Sequence, residues 1–287
     1  MLSLQIHHRT TYRYRYPVVL GPHRLMLRPR ESYDLRLLSI DLSATPEASI
    51  TWAEDVFGNA VAMANFHTPV ASLCIESRLK IELHAVPFPI FAIAAQAISY
   101  PFLYTDQDWI DLGALATMQS SDPSGRVATW ARGFIHSKPT DTLSLLKDLC
   151  SGVSAWVTYR SRDDEGTQTP VQTLELGSGA CRDFAVLFVE AARCLGFGAR
   201  IVSGYLFDPD GCLVGSSGTG STHAWAEVYV PGAGWITFDP TNRGVGGHNL
   251  IPVAVAREIS QVAPVVGSYQ GSPDAFIGMS VDVRVTT

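Results

Sequence analysis

The sequence predicts an α+β protein in two parts: an N-terminal β-sandwich-like domain, then a core in which a buried helix packs on an antiparallel sheet. Short alternating strands separated by turn residues fill the first part. In the second part, an apolar helical pattern that opens at a cysteine precedes two strands joined by a short loop. We expect a first domain at 1–86, a connecting segment at 87–123 and a second domain at 124–287.

Length and composition fit this division, since 287 residues with 46% apolar content can bury the cores of two domains. The formal net charge of −6 argues against a nucleic-acid partner. We find no apolar run of about 18 residues and no signal-peptide pattern at the N-terminus. We therefore expect no membrane association and a cytoplasmic location.

In the first domain, the Tyr-Arg-Tyr-Arg-Tyr run at 12–16 alternates as a half-buried strand does. Further strands are predicted at 35–42, 49–52, 60–66 and 73–83. Seven arginines within the first 36 residues could form an anion-binding face or the solvated face of strands, and the acidic balance of the whole chain favours the second interpretation.

The connecting segment at 87–123 contains several prolines and short helical pieces. Asp122 and Thr140 then precede two helical patterns, which we expect to pack around the helix that begins at the cysteine. Near the other end of the chain, residues 280–285 alternate, and we expect them to close the second domain's sheet as its last strand.

The central stretch is the segment Gly-Ser-Gly-Ala-Cys-Arg-Asp-Phe-Ala at 177–185. Apolar residues after Cys181 recur at spacings of three and four, which places Cys181 at the N-terminus of a buried helix. Exposed N–H groups and the positive end of the helix dipole favour a thiolate there. The other four cysteines are scattered, with no CxxC pair and no zinc-like spacing, so we predict neither a metal site nor a disulfide.

A base for this thiol is predicted on the next elements of the chain. The strand at 222–230 opens with His223, the strand at 234–242 carries Asp239, and the glycine-containing loop between them indicates a hairpin. Adjacent antiparallel strands can bring the two side chains together. The roles would be nucleophile for Cys181, general base for His223 and orienting carboxylate for Asp239.

Three segments, G-A-C-R-D-F-A around Cys181, H-A-W-A-E at His223 and F-D-P-T-N at Asp239, resemble the three motifs of the transglutaminase-like superfamily. They are most similar to those of its bacterial members that carry an extra N-terminal β-domain, many of which are described as cysteine proteases. The resemblance covers most of the chain and implies a papain/transglutaminase-like core at 124–287. It also implies acyl transfer on a peptide or protein amide. The sequence contains no calcium loop of the D-x-[DN]-x-[DN]-G kind, so we expect no cofactor.

Other side chains are candidates for supporting roles. An oxyanion hole needs a donor besides the N–H of Cys181, and Trp156 or Tyr159 could supply it or simply pack in the core. Arg182 and Asp183 flank the nucleophile, where they could border the substrate pocket or serve as ion pairs and helix caps. Trp225 is a third substrate-pocket candidate, which we expect to pack beside His223 and limit the access of water.

The Gly/Ser-rich stretch at 208–221, called the rim here, runs directly into His223, and we expect it to shape substrate access. The residues leave the acyl acceptor open. Water would give hydrolysis, our first expectation, and an amine would give transamidation. An inactive partner-binding scaffold is the alternative from a different class.

Overall fold

We describe the fold from a computed structural model of the chain, which describes residues 1–162, 166–216 and 218–287. Three residues of the polar loop at 160–169, and Ser217 in the rim, lie outside the described residues.

Two antiparallel sheets form the N-terminal part. The first sheet contains β1 (Leu2–Leu20), β3 (Leu35–Thr45), β6 (Val70–Leu83), β17 (Tyr269–Gln270) and β18 (Phe276–Thr286). The second contains β2 (His23–Leu25), β4 (Ser49–Glu54), β5 (Ala60–Asn65) and β16 (Val265–Val266). Alternate residues of β1, among them Leu4 and Ile6, are buried while their neighbours are exposed, which is the period of two that the sequence predicts.

Segments from both ends of the chain complete these two sheets. β18 pairs with β1 along most of its length, from the Gln5–Thr286 pair to the Tyr14–Phe276 pair. The prediction that residues 280–285 close the second domain's sheet is therefore wrong. The alternation indicates a strand with one buried face, but it does not determine which strand is its neighbour. β16 and β17 also lie in the N-terminal sheets, so the strands of this part come from beyond 1–86.

Helices and short pairings lead into the second part. They are β7 (Ser99–Tyr100), α1 (Asp106–Leu112), α2 (Arg126–Arg132), β8 (Thr140–Asp141), α3 (Thr142–Trp156), β9 (Thr158–Tyr159), α4 (Pro170–Leu176) and β10 (Ser178–Gly179). The carboxylates that the sequence places before α2 and α3 cap them: Asp122 accepts from the N–H groups of Arg126 and Ala128, and Asp141 from that of Ser144. Among the described residues, we find no helix with both the length and the apolar character needed to cross a membrane.

A five-stranded antiparallel sheet and the helix α5 (Cys181–Cys194) form the centre of the second part. The strands are β11 (Ala199–Phe207), β12 (Gly220–Val230), β13 (Gly234–Asp239), β14 (Gly244–Val245) and β15 (Leu250–Ala256), in the order β14-β13-β12-β11-β15. Apolar residues of α5 such as Phe184 and Phe188 are fully buried and belong to the main core. β12 and β13 form the predicted hairpin.

The opposite face of this sheet packs on the N-terminal part. Trp225 of β12 belongs to a buried cluster that Phe57, in the turn between β4 and β5, covers. The buried amide of Asn59 donates to the carbonyl of Val255 and accepts from its N–H group. These contacts join β12, which carries His223, and β15 to the turn between β4 and β5.

Candidate active site

Cys181 is the first residue of α5, where the sequence predicts it. Ala180 before it is extended, so the chain turns sharply into the helix. A Cβ at Gly179 would lie 2.8 Å from the Cβ of Asp183, which means that only glycine fits at this turn. The thiol is half-buried and lies beside helix N–H groups that favour its ionised form.

Asp183 anchors the turn that presents this cysteine. Its buried carboxylate accepts from the backbone N–H of Ala180 at 2.9 Å and from that of Gln168 at 2.8 Å. The guanidinium of Arg162 lies 3.2 Å from the same group. Asp183 is therefore committed to holding the start of α5 and the loop before α4. This is the capping alternative, and the side chain is fully buried.

Arg182, which follows Cys181 directly, also contacts the loop before α4. Its Nε donates to the carbonyl of Gly166 and its guanidinium to that of Arg162. These bonds tie the loop before α4 to the first turn of α5. A role for Arg182 in substrate binding stays a prediction.

His223 and Asp239 lie on neighbouring strands and are both buried. The Nε2–H group of His223 donates a hydrogen bond to Oδ2 of Asp239, at a distance of 2.9 Å between the two atoms. The other ring nitrogen, Nδ1, is buried and makes no standard hydrogen bond within the described part of the chain. Besides Asp239, the titratable group that interacts with the ring is the thiol of Cys181. Nδ1 is thus the nitrogen available to exchange a proton with the sulfur.

Electrostatics favour the ionised form of all three groups. Burial opposes ionisation of Cys181, but the neighbouring imidazole of His223, together with the N–H of Ala224, lowers the pKa of the thiol below its ordinary value. Burial also opposes charge on His223, but the carboxylate of Asp239 and the sulfur of Cys181 raise the pKa of the imidazole. For Asp239, His223 and two further hydrogen bonds outweigh burial and lower the pKa of the carboxyl. The arrangement therefore stabilises a thiolate, an imidazolium and a carboxylate.

Asn242 also contacts this group, and the sequence alone does not single it out. Its side-chain amide donates to Oδ2 of Asp239 at 2.9 Å, and the N–H of Thr241 donates to Oδ1 at 3.0 Å. The sequence signal for Asn242 is its place as the last residue of the F-D-P-T-N segment, three residues after the aspartate, in the turn that ends β13.

The two candidates for the oxyanion donor differ in the structure. Trp156 is about half exposed, and its indole N–H donates to the carbonyl of Leu174, so it does not fit that role. Tyr159 lies on β9, which pairs with β10 just before the nucleophile, and its ring contacts Phe184. Burial and the nearby Cys181 raise the pKa of Tyr159, which keeps its hydroxyl protonated and able to donate. Its role as oxyanion donor stays a prediction.

Trp225 stacks on His223, with ring centroids 6.0 Å apart and ring planes at 26°. Its indole is 1% exposed, so it packs beneath the histidine in the core and does not line an open pocket. A Cβ at Gly204 on the neighbouring strand would lie 2.8 Å from this indole, so the glycine makes room for it.

The rim lies beside the triad and is held by its own carboxylate. Asp208 is buried and accepts from the N–H groups of Cys212 and Leu213. Further along the rim, Gly215 has φ +80 and lies over Tyr159, where a Cβ would come within 3.0 Å of the tyrosine hydroxyl. The described part of the rim therefore borders the site, as its composition predicts.

All five cysteines are free: Cys74, Cys150, Cys181, Cys194 and Cys212. Burial raises the pKa of Cys150, and burial together with Glu190 raises that of Cys194 to about 11. Cys212 is exposed in the rim. Among the described residues, no group of three or more His, Cys, Asp and Glu side chains is arranged to hold a metal ion.

Two family profiles match this chain, one in its N-terminal part and one in its second part. The profile of the bacterial transglutaminase-like N-terminal region matches residues 4–82. The profile of the transglutaminase-like superfamily matches residues 128–240, a range that contains Cys181, His223 and Asp239.

Similar chains extend the match to nearly the full length. An uncharacterized protein of Mycobacterium tuberculosis is 30% identical over 302 residues, covering 97% of this chain and 91% of its own length. A Mycobacterium leprae protein, also uncharacterized, is 23% identical and is covered over 99% of both chains. A crystal structure of a protein from Cytophaga hutchinsonii, described as a "putative cysteine protease", superposes with a TM-score of 0.75 at 19% identity, covering 99% of this chain and 91% of that one. The last likeness establishes the shared fold.

Proposed function

This chain belongs to the transglutaminase-like superfamily, and we propose that it breaks amide bonds of a peptide or protein through the triad Cys181, His223 and Asp239. Superfamily membership supports cysteine-based catalysis in general. The observation that carries the specific proposal is the buried contact of His223 with Asp239 beside a thiol of lowered pKa.

In the first half of the reaction, the Cys181 thiolate attacks the amide carbon and a carbon–sulfur bond forms. The carbonyl oxygen takes the electron pair and becomes an oxyanion, which the N–H of Cys181 and the hydroxyl of Tyr159 would stabilise. The carbon–nitrogen bond then breaks as Nδ1 of His223 gives its proton to the departing amine. A thioester on Cys181 and a neutral imidazole remain.

In the second half, water attacks the thioester while Nδ1 of His223 takes one of its protons. The carbon–sulfur bond breaks, the carboxylic acid leaves, and the thiolate and imidazolium are restored. Asp239 holds the imidazole through Nε2 and compensates its charge throughout. We propose water as the acceptor because no separate amine site is evident in the described residues. An amine attacking the same thioester would give transamidation.

Dimethylated casein with a fluorescent primary amine tests this proposal, because the casein's own amines are blocked. Formation of the thioester releases ammonia or a new amino group with either acceptor, so the casein product tells them apart: hydrolysis leaves a new carboxyl group, whereas transamidation attaches the fluorescent amine to the casein. We expect hydrolysis with the wild type and none with Cys181→Ala. Incorporation of the fluorescent amine into the casein would contradict hydrolysis and identify the reaction as transamidation. No product, together with alkylation of Cys181 no faster than that of Cys212, would favour the scaffold alternative.

We also propose a cytoplasmic location, on the sequence patterns alone. Fractionation of cells that produce the protein, followed by immunoblotting, tests it. Recovery in the membrane or secreted fraction would contradict it.

A further inference from the structure

Asn242 connects the triad to the rim through a single amide. On one side its Nδ2 donates to Oδ2 of Asp239 at 2.9 Å. On the other side its Oδ1 accepts from the N–H of Val214 at 2.8 Å, and Nδ2 also lies 3.3 Å from the Val214 carbonyl. An amide has both a donor and an acceptor at fixed geometry, so one side chain can satisfy both neighbours.

Asn242 contacts the same oxygen of Asp239 that accepts the hydrogen bond from His223. Oδ2 receives both Nε2 of His223 and Nδ2 of Asn242, while Oδ1 is held by the N–H of Thr241. Without Asn242, the carboxylate would lose one of the donors that fix its plane. The orientation of the imidazole follows from that plane.

The contact to Val214 involves a backbone segment that is fastened elsewhere. Asp208 holds the N–H of the preceding residue, Leu213, and the hydroxyl of Ser221 donates to the carbonyl of the following residue, Gly215. The side chain of Val214 is 42% exposed and contributes nothing to the bond. The position of Asn242 therefore depends on where this backbone lies.

We propose that Asn242 is a positioning residue that couples the rim at Val214 to the reactivity of Cys181, through Asp239 and His223. This inference rests on the proposed function, since it concerns the same triad. The position of the rim would then affect the reactivity of Cys181, although the hydrogen bonds of Asp208, Val214 and Ser221 do not involve its sulfur. A substrate that moves Val214 would thereby change the orientation of the catalytic carboxylate.

The test is the pH dependence of iodoacetamide alkylation of Cys181, followed by mass spectrometry, in wild type, Asn242→Ala and Val214→Pro. The alanine removes the amide, and the proline removes the N–H that holds it. Asn249→Ala is the matched control, because this asparagine lies outside the hydrogen bonds of the triad. Circular dichroism establishes that each variant is folded.

We expect both variants to move the alkylation midpoint to higher pH. At a pH below the midpoints of both wild type and variant, the alkylation rate should fall about tenfold for every pH unit that the midpoint rises. Asn249→Ala should follow the wild type. If the wild-type midpoint is low and Asn242→Ala, once folded, keeps it, the coupling is refuted while the proposed function stands. If Val214→Pro alone keeps it, the link to the rim is refuted. A wild-type midpoint at the ordinary thiol value would overturn the proposed function and this inference together.

Discussion

Val285, in the last strand, packs directly against Gly220, the first residue of the strand that carries His223. A Cβ at Gly220 would lie 2.5 Å from Cγ2 of Val285 and 2.7 Å from the carbonyl oxygen of Leu206. The end of the chain thus supports the start of β12, and the glycine permits this close approach.

The first prediction concerns this contact. Val285 is fully buried, so Val285→Ala should lower the free energy of unfolding by about 2 kcal/mol through lost burial and a cavity. Val281, on the same face of β18, is 44% exposed, and Val281→Ala should change the free energy of unfolding by less than about 0.5 kcal/mol. Urea denaturation of both variants measures the difference. Equal losses would mean that Val285 does not support the core.

The second prediction is selective labelling of Cys181 at mildly acidic pH. Because His223 lowers the pKa of the thiol, thiolate persists below the ordinary value of about 8.5 and is lost only as the pH falls through the lowered pKa. Iodoacetamide near pH 6 should therefore modify Cys181 faster than the exposed Cys212. In His223→Ala, the largest influence that opposes burial is lost, and this preference should disappear. Faster labelling of Cys212 in the wild type would contradict the prediction.

The third prediction concerns the charge of Asp239. The carboxylate is the largest influence that raises the pKa of His223 against burial, so Asp239→Asn should lower that pKa and make the thiolate less stable. We expect the turnover number to fall on the order of 10²–10⁴-fold. The exposed Asp41 gives the control substitution, Asp41→Asn. Turnover within a factor of two of wild type in Asp239→Asn would exclude the orienting role.

The fourth prediction separates the two aromatic candidates. Tyr159→Phe removes a hydroxyl next to the nucleophile and should lower kcat about 10²-fold with KM little changed, if that hydroxyl stabilises the oxyanion. Trp156→Phe removes an N–H that is already used on the carbonyl of Leu174, so kcat should stay near wild type. Steady-state kinetics on casein compare the two. The reverse order would restore Trp156 as the donor.

The fifth prediction concerns the carboxylate that anchors the start of α5. Asp183→Ala leaves two backbone N–H groups and Arg162 without their buried partner, so it should cost about 3 kcal/mol of stability. Asp148 is exposed on α3, and Asp148→Ala should have little effect. Thermal unfolding of the two variants distinguishes them. Similar melting temperatures would show that Asp183 is dispensable for the turn.

Local patterns were sufficient to predict much of the site. The period of the apolar residues after Cys181 gives the start of α5, and the loop between two strands gives the hairpin that carries His223 and Asp239. These features depend on neighbours in the chain, which a sequence displays directly.

Features that depend on distant partners were not predictable. Trp156 was an oxyanion candidate because its indole can donate, yet the direction of that donor depends on how α3 ends against α4. The place of β18 depends on which strand has a free edge. Asn242 looks like an ordinary turn residue until the rim folds back onto it.

The pairing of β18 with β1 has a consequence for the order in which the molecule can assemble. During synthesis, β1 can pair with β6 as soon as residue 83 has been added, but its other edge lacks β17 and β18 until residues 269–286 follow. Until then that edge exposes unpaired backbone groups, which can pair with another nascent chain. Although β1 is made before the other strands of its sheet, it is therefore among the last of them to be completely paired.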